Sequence, residues 1–395
     1  MSDDPKPLEL VPRFPGQGYE PELVQKRRAW IEEKTGARLT EVGAHSIPSG
    51  EWRGNIENPI GAAQMPLGIA GPLLVHGAHA KGTFYVPLAT TEGALVRSYE
   101  RGMVTLTRAG GVQVELHADE NRVCPAFHFD DVAAAGEFVR WLPSQIGTLR
   151  ASAESTTRHG KLLRVECHPA GREVMVLFAF STGDAHGMNM IVKAADKACQ
   201  WILANSRAVR YQVFSGLESE KRASGFLLPG GKGKKLTAGA RIPKEIVRSH
   251  LHATPEQIHE LWHVTVLGHL QSNSVGYNGH LANGLTAMFI ATGQDVANVV
   301  NSAAGITHFE LTEGGDLYAS VTLPSLTVAT VGGGTGLGTS RECLEMLGCA
   351  GTGGAAKLAE IVAGSLLAGE ISMGAAIASG EFVAAHETYG RNRPE

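Results

Sequence analysis

Cysteine is scarce and unpatterned: Cys124, Cys167, Cys199, Cys343 and Cys349 are the only five in 395 positions. An odd, scattered set with no C-x-x-C pair indicates neither a disulfide framework nor a thiolate zinc site. Charge is also low, at 19% with a formal net of −4, so the broad basic face of a nucleic-acid binder is not expected. The start, Met1 to Pro7, has no basic stretch leading into an apolar run. No later stretch approaches the ~20 apolar residues of a membrane span, so the chain reads as cytoplasmic with no membrane partner. A strict G-x-G-x-x-G and a Walker A lysine are both missing, which disfavours a Rossmann domain and a P-loop nucleotidase.

What is present is a 43% hydrophobic composition with 49 glycines, long enough for roughly two or three domains. A helical period runs through Leu23–Ile31 after the turn-forming Pro15-Gly16-Gln17-Gly18. From Asn58-Pro59 the texture is Gly-rich and small-apolar, with a helix expected from Thr91 to Gly102 on the spacing of Leu95, Val96 and Tyr99. Between about Val123 and Val213, strand-like runs at Leu162–Glu166 and Glu173–Phe178 alternate with helix-like runs near Ala133–Leu142 and Asn189–Asn205. After Arg241-Ile242-Pro243 the helical, Gly-rich texture returns. The middle module therefore reads as an insertion into a larger domain.

Several segments could carry chemistry. Ala89-Thr90-Thr91-Glu92-Gly93 puts a carboxylate in the expected first turn of a helix, where the dipole favours negative charge. Use as a proton donor would require desolvation or a second carboxylate nearby. Asp295 in Gly293-Gln294-Asp295-Val296-Ala297-Asn298 reads as an ordinary N-cap, and Ser215 to Arg222 as a charged, solvated loop. Gly183 to Met190 links a strand-like run to a helical one; its amides could face a pyrophosphate at a helix N-terminus, or simply form a tight turn. Val331 to Gly338 lets backbone approach a ligand closely. His259-Glu260-Leu261-Trp262-His263 matches H-E-x-x-H, with His269 at a metzincin's third-ligand position, so a zinc hydrolase is the leading rival. Against it, the glycine metzincins use to turn the chain is Val266, inside what reads as one uninterrupted helix beginning at Thr254-Pro255.

Taken together and in order, six segments resemble the class I 3-hydroxy-3-methylglutaryl-CoA (HMG-CoA) reductases. They are Pro66 to Leu73, Thr90-Thr91-Glu92-Gly93, Gly183-Asp184 to Met190, Gly276-Tyr277-Asn278-Gly279-His280, Gly293-Gln294-Asp295 and Thr330 to Thr335. The resemblance spans Glu57 to His386. It implies reduction of (S)-HMG-CoA to (R)-mevalonate and CoA with two NADPH, NADH serving as a weaker donor, by two hydride transfers through a hemithioacetal and mevaldehyde. It implies a catalytic set of Glu92, Lys221, Asp295 and His386. Lys221 would stabilise the oxyanion, with Asp295 orienting it. His386 would protonate the departing thiolate, and Glu92, kept protonated by a neighbouring Asp295, the aldehyde oxygen.

By the same resemblance, Asp184, Ala185, His186, Gly187, Met188, Asn189, Met190, Gly333, Gly334 and Thr335 face the dinucleotide, and Arg158 holds its 2'-phosphate through a planar fork. Ser98, Arg101 and His280 would meet CoA, and Arg122, Ser215, Arg222 and Asn283 the hydroxymethylglutaryl end. No metal is implied. The implied fold is α+β: an α-rich large CoA-binding domain (51–122 and 213–379) carrying an inserted ferredoxin-like α+β NADP-binding domain (123–212) that is not Rossmann-like. A helical segment (1–50) precedes it and a C-terminal flap (380–395) follows. The implied assembly is a homodimer or dimer of dimers with shared active sites. The chain departs from the family's Asp-Lys-Lys, which is Glu220-Lys221-Arg222 here, and a catalytically impaired CoA-binding homologue is the third reading.

Overall fold

The computed structural model of the chain describes residues 9–14, 16 and 18–382. Among them ten strands form one connected sheet: β1 (Leu67–His76), β2 (Lys81–Ala89), β3 (Val112–Val123), β4 (Ala126–His128), β5 (Lys161–Ala170), β6 (Glu173–Ser181), β7 (Arg210–Gln212), β8 (Gly233–Ile242), β9 (Ile306–Leu311) and β10 (Leu317–Leu326). The order is β7-β4-β6-β3-β8-β10-β9, with β5 on the far edge of β6 and the β1–β2 hairpin beside β3.

Two hydrophobic cores lie along this sheet. One is built on β1, β2, β8, β9, β10 and the first half of β3, covered by helices Leu95–Arg108, Leu281–Ala291 and Ala355–Ala378. The other gathers Phe127, Phe129, Phe138, Phe178 and Phe180 between β4–β6 and helices Val132–Trp141, Ile146–Glu154 and Met188–Asn205. There Trp141 and Trp201 stack with ring centroids 5.9 Å apart. Strand β3 serves both. Its residues 113–120 pair with β8, while Asn121–Val123 pair with β6, and β4 continues along the same edge of β6. Starting from β4, the second unit runs β-α-α-β-β-α-β, with antiparallel pairs β4–β6, β5–β6 and β4–β7.

The helix at Pro255–Gln271 starts where Thr254-Pro255 predicts, with a capping box between Thr254 and Gln257. The runs around Leu162 and Glu173 form β5 and β6, and Met188–Asn205 is the expected helix. Three expectations are refined or corrected. Beneath the helices of the larger unit lies a six-stranded sheet that its helical, Gly-rich texture does not announce. Gly68, Gly71, Pro72 and Pro87 inside β1 and β2, and the irregular register between Ala70 and Leu73, hide the strand alternation. Glu92 lies ahead of its helix, which begins only at Leu95 after Ala94 adopts φ 71°. Finally, Ala355–Ala378 is 24 residues long and apolar enough to cross a membrane, but 83% of its apolar window is buried inside the protein. It is packed closely: a Cβ on Gly102 of the neighbouring helix would sit 1.9 Å from the Ala368 carbonyl oxygen.

Candidate active site

The turn between β6 and helix Met188–Asn205 and the loop after β10 meet edge to edge. The Asp184 carbonyl accepts from Thr330 N at 2.9 Å, and Ala185 forms a parallel bridge with Val331. Gly293 and Gly334 touch through their backbones, since a Cβ on Gly293 would lie 2.4 Å from the Gly334 oxygen. These close approaches build a cleft of about 870 Å³ lined by Ala185, His186, Gly187, Met188, Asn189, Met190, Gly333, Gly334 and Thr335, and by Lys221 and Asp295. Lys221 Nζ lies 2.6 Å from Asp295 Oδ2, both partly open to solvent. The expected N-cap is also present, since Asp295 Oδ1 accepts from Ala297 N at 3.2 Å. Burial pushes the His186 imidazole below its ordinary pKa, opposed by the nearby carboxylate of Glu220.

Asp184 points elsewhere. Its carboxylate accepts from Gly353 N at 2.8 Å and Ala355 N at 3.1 Å, at the N-terminus of the long buried helix. Arg158 is exposed, on the turn after helix Ile146–Glu154. That turn abuts the cleft wall, because a Cβ on Gly160 would meet Met190 at 3.3 Å.

A second cleft, of about 800 Å³, is lined by Glu92, Ser98, Arg101, His280, Asn283, Glu381 and Phe382 among others. Arg101 is braced by Ser372, through Nε at 3.0 Å and through Nη2 to the carbonyl at 2.6 Å, and Ser98 meets the same hydroxyl at 3.1 Å. His280 is held from behind by Glu370, which accepts from its Nδ1 at 3.2 Å and its backbone N at 2.8 Å, and its buried Nε2 has no hydrogen-bond partner among the described residues. Helix Leu281–Ala291 separates the clefts, with Asn283 lining this one and Phe289 and Ile290 the other. Asn283 Nδ2 donates to both oxygens of Glu92, at 3.1 and 2.8 Å. Among the described residues the side-chain partner of Glu92 is thus Asn283, whereas Asp295 pairs with Lys221 and lines the other cleft. His386 lies outside the described residues.

The comparisons bear on what two such clefts serve. A family model described as Hydroxymethylglutaryl-coenzyme A reductase matches residues 23–391. The chain belongs to the hydroxymethylglutaryl-coenzyme A reductase family. It is 43% identical over 373 residues to the 3-hydroxy-3-methylglutaryl-coenzyme A reductase of Methanothermobacter thermautotrophicus, covering 94% of each chain. The corresponding reductase of Pyrococcus horikoshii is 44% identical over 376 residues, covering 92% of this chain and 91% of that one. The fold is shared with a class II 3-hydroxy-3-methylglutaryl-CoA reductase from Streptococcus pneumoniae, solved bound to NADPH in open conformations. That structure superposes with a TM-score of 0.69 at 19% identity, covering 89% of this chain and 96% of the other.

In this reductase-family chain the loop 215–222 is pinned from beneath. Arg122, 2% exposed, donates from Nε to the Glu218 carbonyl at 3.2 Å and lies 4.5 Å from the Phe226 ring centre, and its buried Nη2 has no hydrogen-bond partner among the described residues. Ser215 is exposed at the loop's start, its hydroxyl accepting from Leu217 N at 3.3 Å, and Arg222 reaches the Glu220 carbonyl at 3.2 Å. Sequence reasoning missed Lys232, Asn121 and Glu370. A lysine within Gly231-Lys232-Gly233-Lys234-Lys235 looks solvated, yet Lys232 is fully buried. The zinc alternative finds no support: His269 packs edge-on against Tyr277, and the described residues contain no group of three side chains arranged for a metal.

Proposed function

We propose that this chain is a class I, NADPH-dependent HMG-CoA reductase that converts (S)-HMG-CoA to (R)-mevalonate and CoA, consuming two NADPH and two protons. The observation that carries the reading is Lys221 Nζ, 2.6 Å from Asp295 in a cleft walled by the 185–190 turn and the 333–335 loop. High identity to the archaeal reductases, against 19% to the class II enzyme, favours class I.

The larger cleft suits a dinucleotide. Its wall at Gly333 has φ 56° and open space where a Cβ would stand, so backbone can line a flat ligand. NADPH bound there supplies the hydride. Lys221 stabilises the negative charge that hydride addition places on the carbonyl oxygen, oriented by Asp295 and loop 215–222. The hemithioacetal then loses its C–S bond, and the thiolate takes a proton, the role assigned to His386. In the second reduction Glu92 delivers a proton to the aldehyde oxygen. Glu92 lines one cleft of the chain and Lys221 and Asp295 line the other, which supports a homodimer, or dimer of dimers, with active sites completed between subunits.

Arg158, exposed beside Met190, is assigned to the 2'-phosphate. The buried Nη2 of Arg122, without a partner among the described residues, is assigned, with Ser215, Arg222 and Asn283, to the hydroxymethylglutaryl carboxylate. Ser98, Arg101 and His280 are assigned to CoA. On this reading the two cores correspond to a large CoA-binding domain (51–122 and 213–379) and an inserted ferredoxin-like NADP domain (123–212), in a cytoplasmic enzyme with no nucleic-acid partner.

Absorbance at the nicotinamide band, with HMG-CoA and either NADPH or NADH, tests this. Two NADPH equivalents oxidised per CoA released, with slower use of NADH, is the expected result. CoA binding without oxidation would overturn it in favour of an impaired homologue.

A further inference from the structure

Beneath the loop that carries Lys221 lies a charge pair that takes no direct part in the proposed reaction. Lys232 is fully enclosed, its side chain 0% exposed, and it is ion-paired with Glu220. Its Nζ also donates to Asn121 Oδ1 at 2.7 Å and lies 3.4 Å from Met188 Sδ. Asn121 in turn donates from Nδ2 to the His186 carbonyl at 2.8 Å. Burial holds the Lys232 ammonium below the ordinary lysine value, with the Glu220 carboxylate opposing the shift.

Lys232 therefore grips two things at once. Through Met188 and Asn121 it reaches the turn that walls the dinucleotide cleft. Through Glu220 it holds the residue directly before Lys221. The backbone there is unusual: Ser219 and Lys221, on either side of Glu220, have φ values of 54° and 55°, a region that side-chain-bearing residues keep only when their surroundings impose it. Glu218 contributes too, accepting from Gly216 N at 3.0 Å.

We propose that Lys232 and Glu220 are a buried positioning pair, which fixes the loop backbone so that Lys221 is presented to Asp295 in register with the 185–190 turn. Stability alone is a poor reason for the pair, because replacing a buried ion pair with neutral groups of similar size is often harmless to a fold. The pair also accounts for the departure from Asp-Lys-Lys: Glu220 is one methylene longer than aspartate, and its carboxylate is turned inward to Lys232. The inference rests on the proposed reductase reading, in which Lys221 is the oxyanion partner.

The test uses the full chain and three variants, Lys232→Met, Glu220→Asp and the doubly neutral Glu220→Gln/Lys232→Met. Four quantities are read: the thermal midpoint, kcat with HMG-CoA, KM for NADPH, and hydrogen–deuterium exchange over residues 215–224. The single Lys232→Met change strands a buried carboxylate and is expected to lower the midpoint. The double variant should melt within a few degrees of the parent and keep KM for NADPH within about threefold, yet lose kcat by ~10–100-fold, as a misplacement of about 1 Å does. Its 215–224 segment should exchange at least ~10-fold faster, with β3 and β8 unchanged. Glu220→Asp, which keeps the charge and shortens the reach, should fall between.

Parental kcat in the double variant, or unchanged exchange over 215–224 in both the double variant and Glu220→Asp, overturns the proposal. A parent that oxidises no NADPH refutes the reductase reading instead, and the exchange result still decides whether the pair orders the loop.

Discussion

Asp184 and Ala355 are 171 positions apart, yet the Asp184 carboxylate accepts from the Ala355 backbone at 3.1 Å and from Gly353 at 2.8 Å. A turn expected to face a cofactor thus also caps the longest helix of the molecule. Replacing Asp184 with Ala should lower the unfolding free energy by about 1–2 kcal/mol, the usual magnitude for a lost N-terminal cap. Asp184→Asn should recover only part of it, because the single amide oxygen can accept from one of the two N–H groups that the carboxylate serves. Urea unfolding of the two variants separates this role from any effect on NADPH affinity.

Lys221 is 43% exposed and its partner Asp295 41%, so their contact contributes little to stability after solvent screening. Lys221→Ala should therefore melt within about 2 °C of the parent while losing ~10²–10³-fold in turnover. Near-normal turnover would show that another cation meets the oxyanion.

Glu370 gives a pH dependence with a defined sign. Burial raises its pKa, but the hydrogen bonds from His280 and Gly279 outweigh that and hold the carboxyl below its ordinary value of 4.5. A folded-state pKa below the unfolded one adds stability that is fully present above the ordinary glutamate value and is lost as pH falls through the depressed one. Glu370→Gln should flatten this acid limb of a stability-versus-pH curve and lower stability at neutrality by roughly 1–3 kcal/mol. An unchanged acid limb would mean that the carboxyl is not anionic in the fold.

Arg158→Ala should weaken NADPH binding by roughly 10-fold or more and leave NADH binding within about twofold, since only NADPH carries the 2'-phosphate. Fluorescence titration with each cofactor decides it; equal losses for both would remove Arg158 from that role.

What could be read from the chain followed from where local pattern and tertiary role coincide. β5, β6 and the helix Met188–Asn205 announce themselves because alternation and 3.6-residue periodicity survive in them. β1 and β2 do not, since glycine and proline stand where strand formers would signal. Lys221 and Asp295 stand out only by their order among other motifs, and the structure brings them into contact. The sequence pattern puts Glu92 in a first helical turn that it does not occupy, because Ala94 delays the helix by taking a left-handed conformation that no local signal requires. Lys232 was invisible for a deeper reason. Its partners Asn121 and Glu220 come from other segments, and nothing in a Gly-Lys-Gly-Lys-Lys run distinguishes an enclosed ammonium from a hydrated one.

The strand shared by both cores also sets how the molecule can deform. β3 is laddered to β8 over residues 113–120 and to β6 over 121–123 without a break in the chain. A flexible tether would let the aromatic-rich unit swing freely; a continuous strand acts as an axle. Sliding or tilting away from it ruptures paired backbone groups, whereas rotation about its length only changes sheet twist, which is soft. The register irregularity between Leu116 and Ala118 marks where such torsion concentrates.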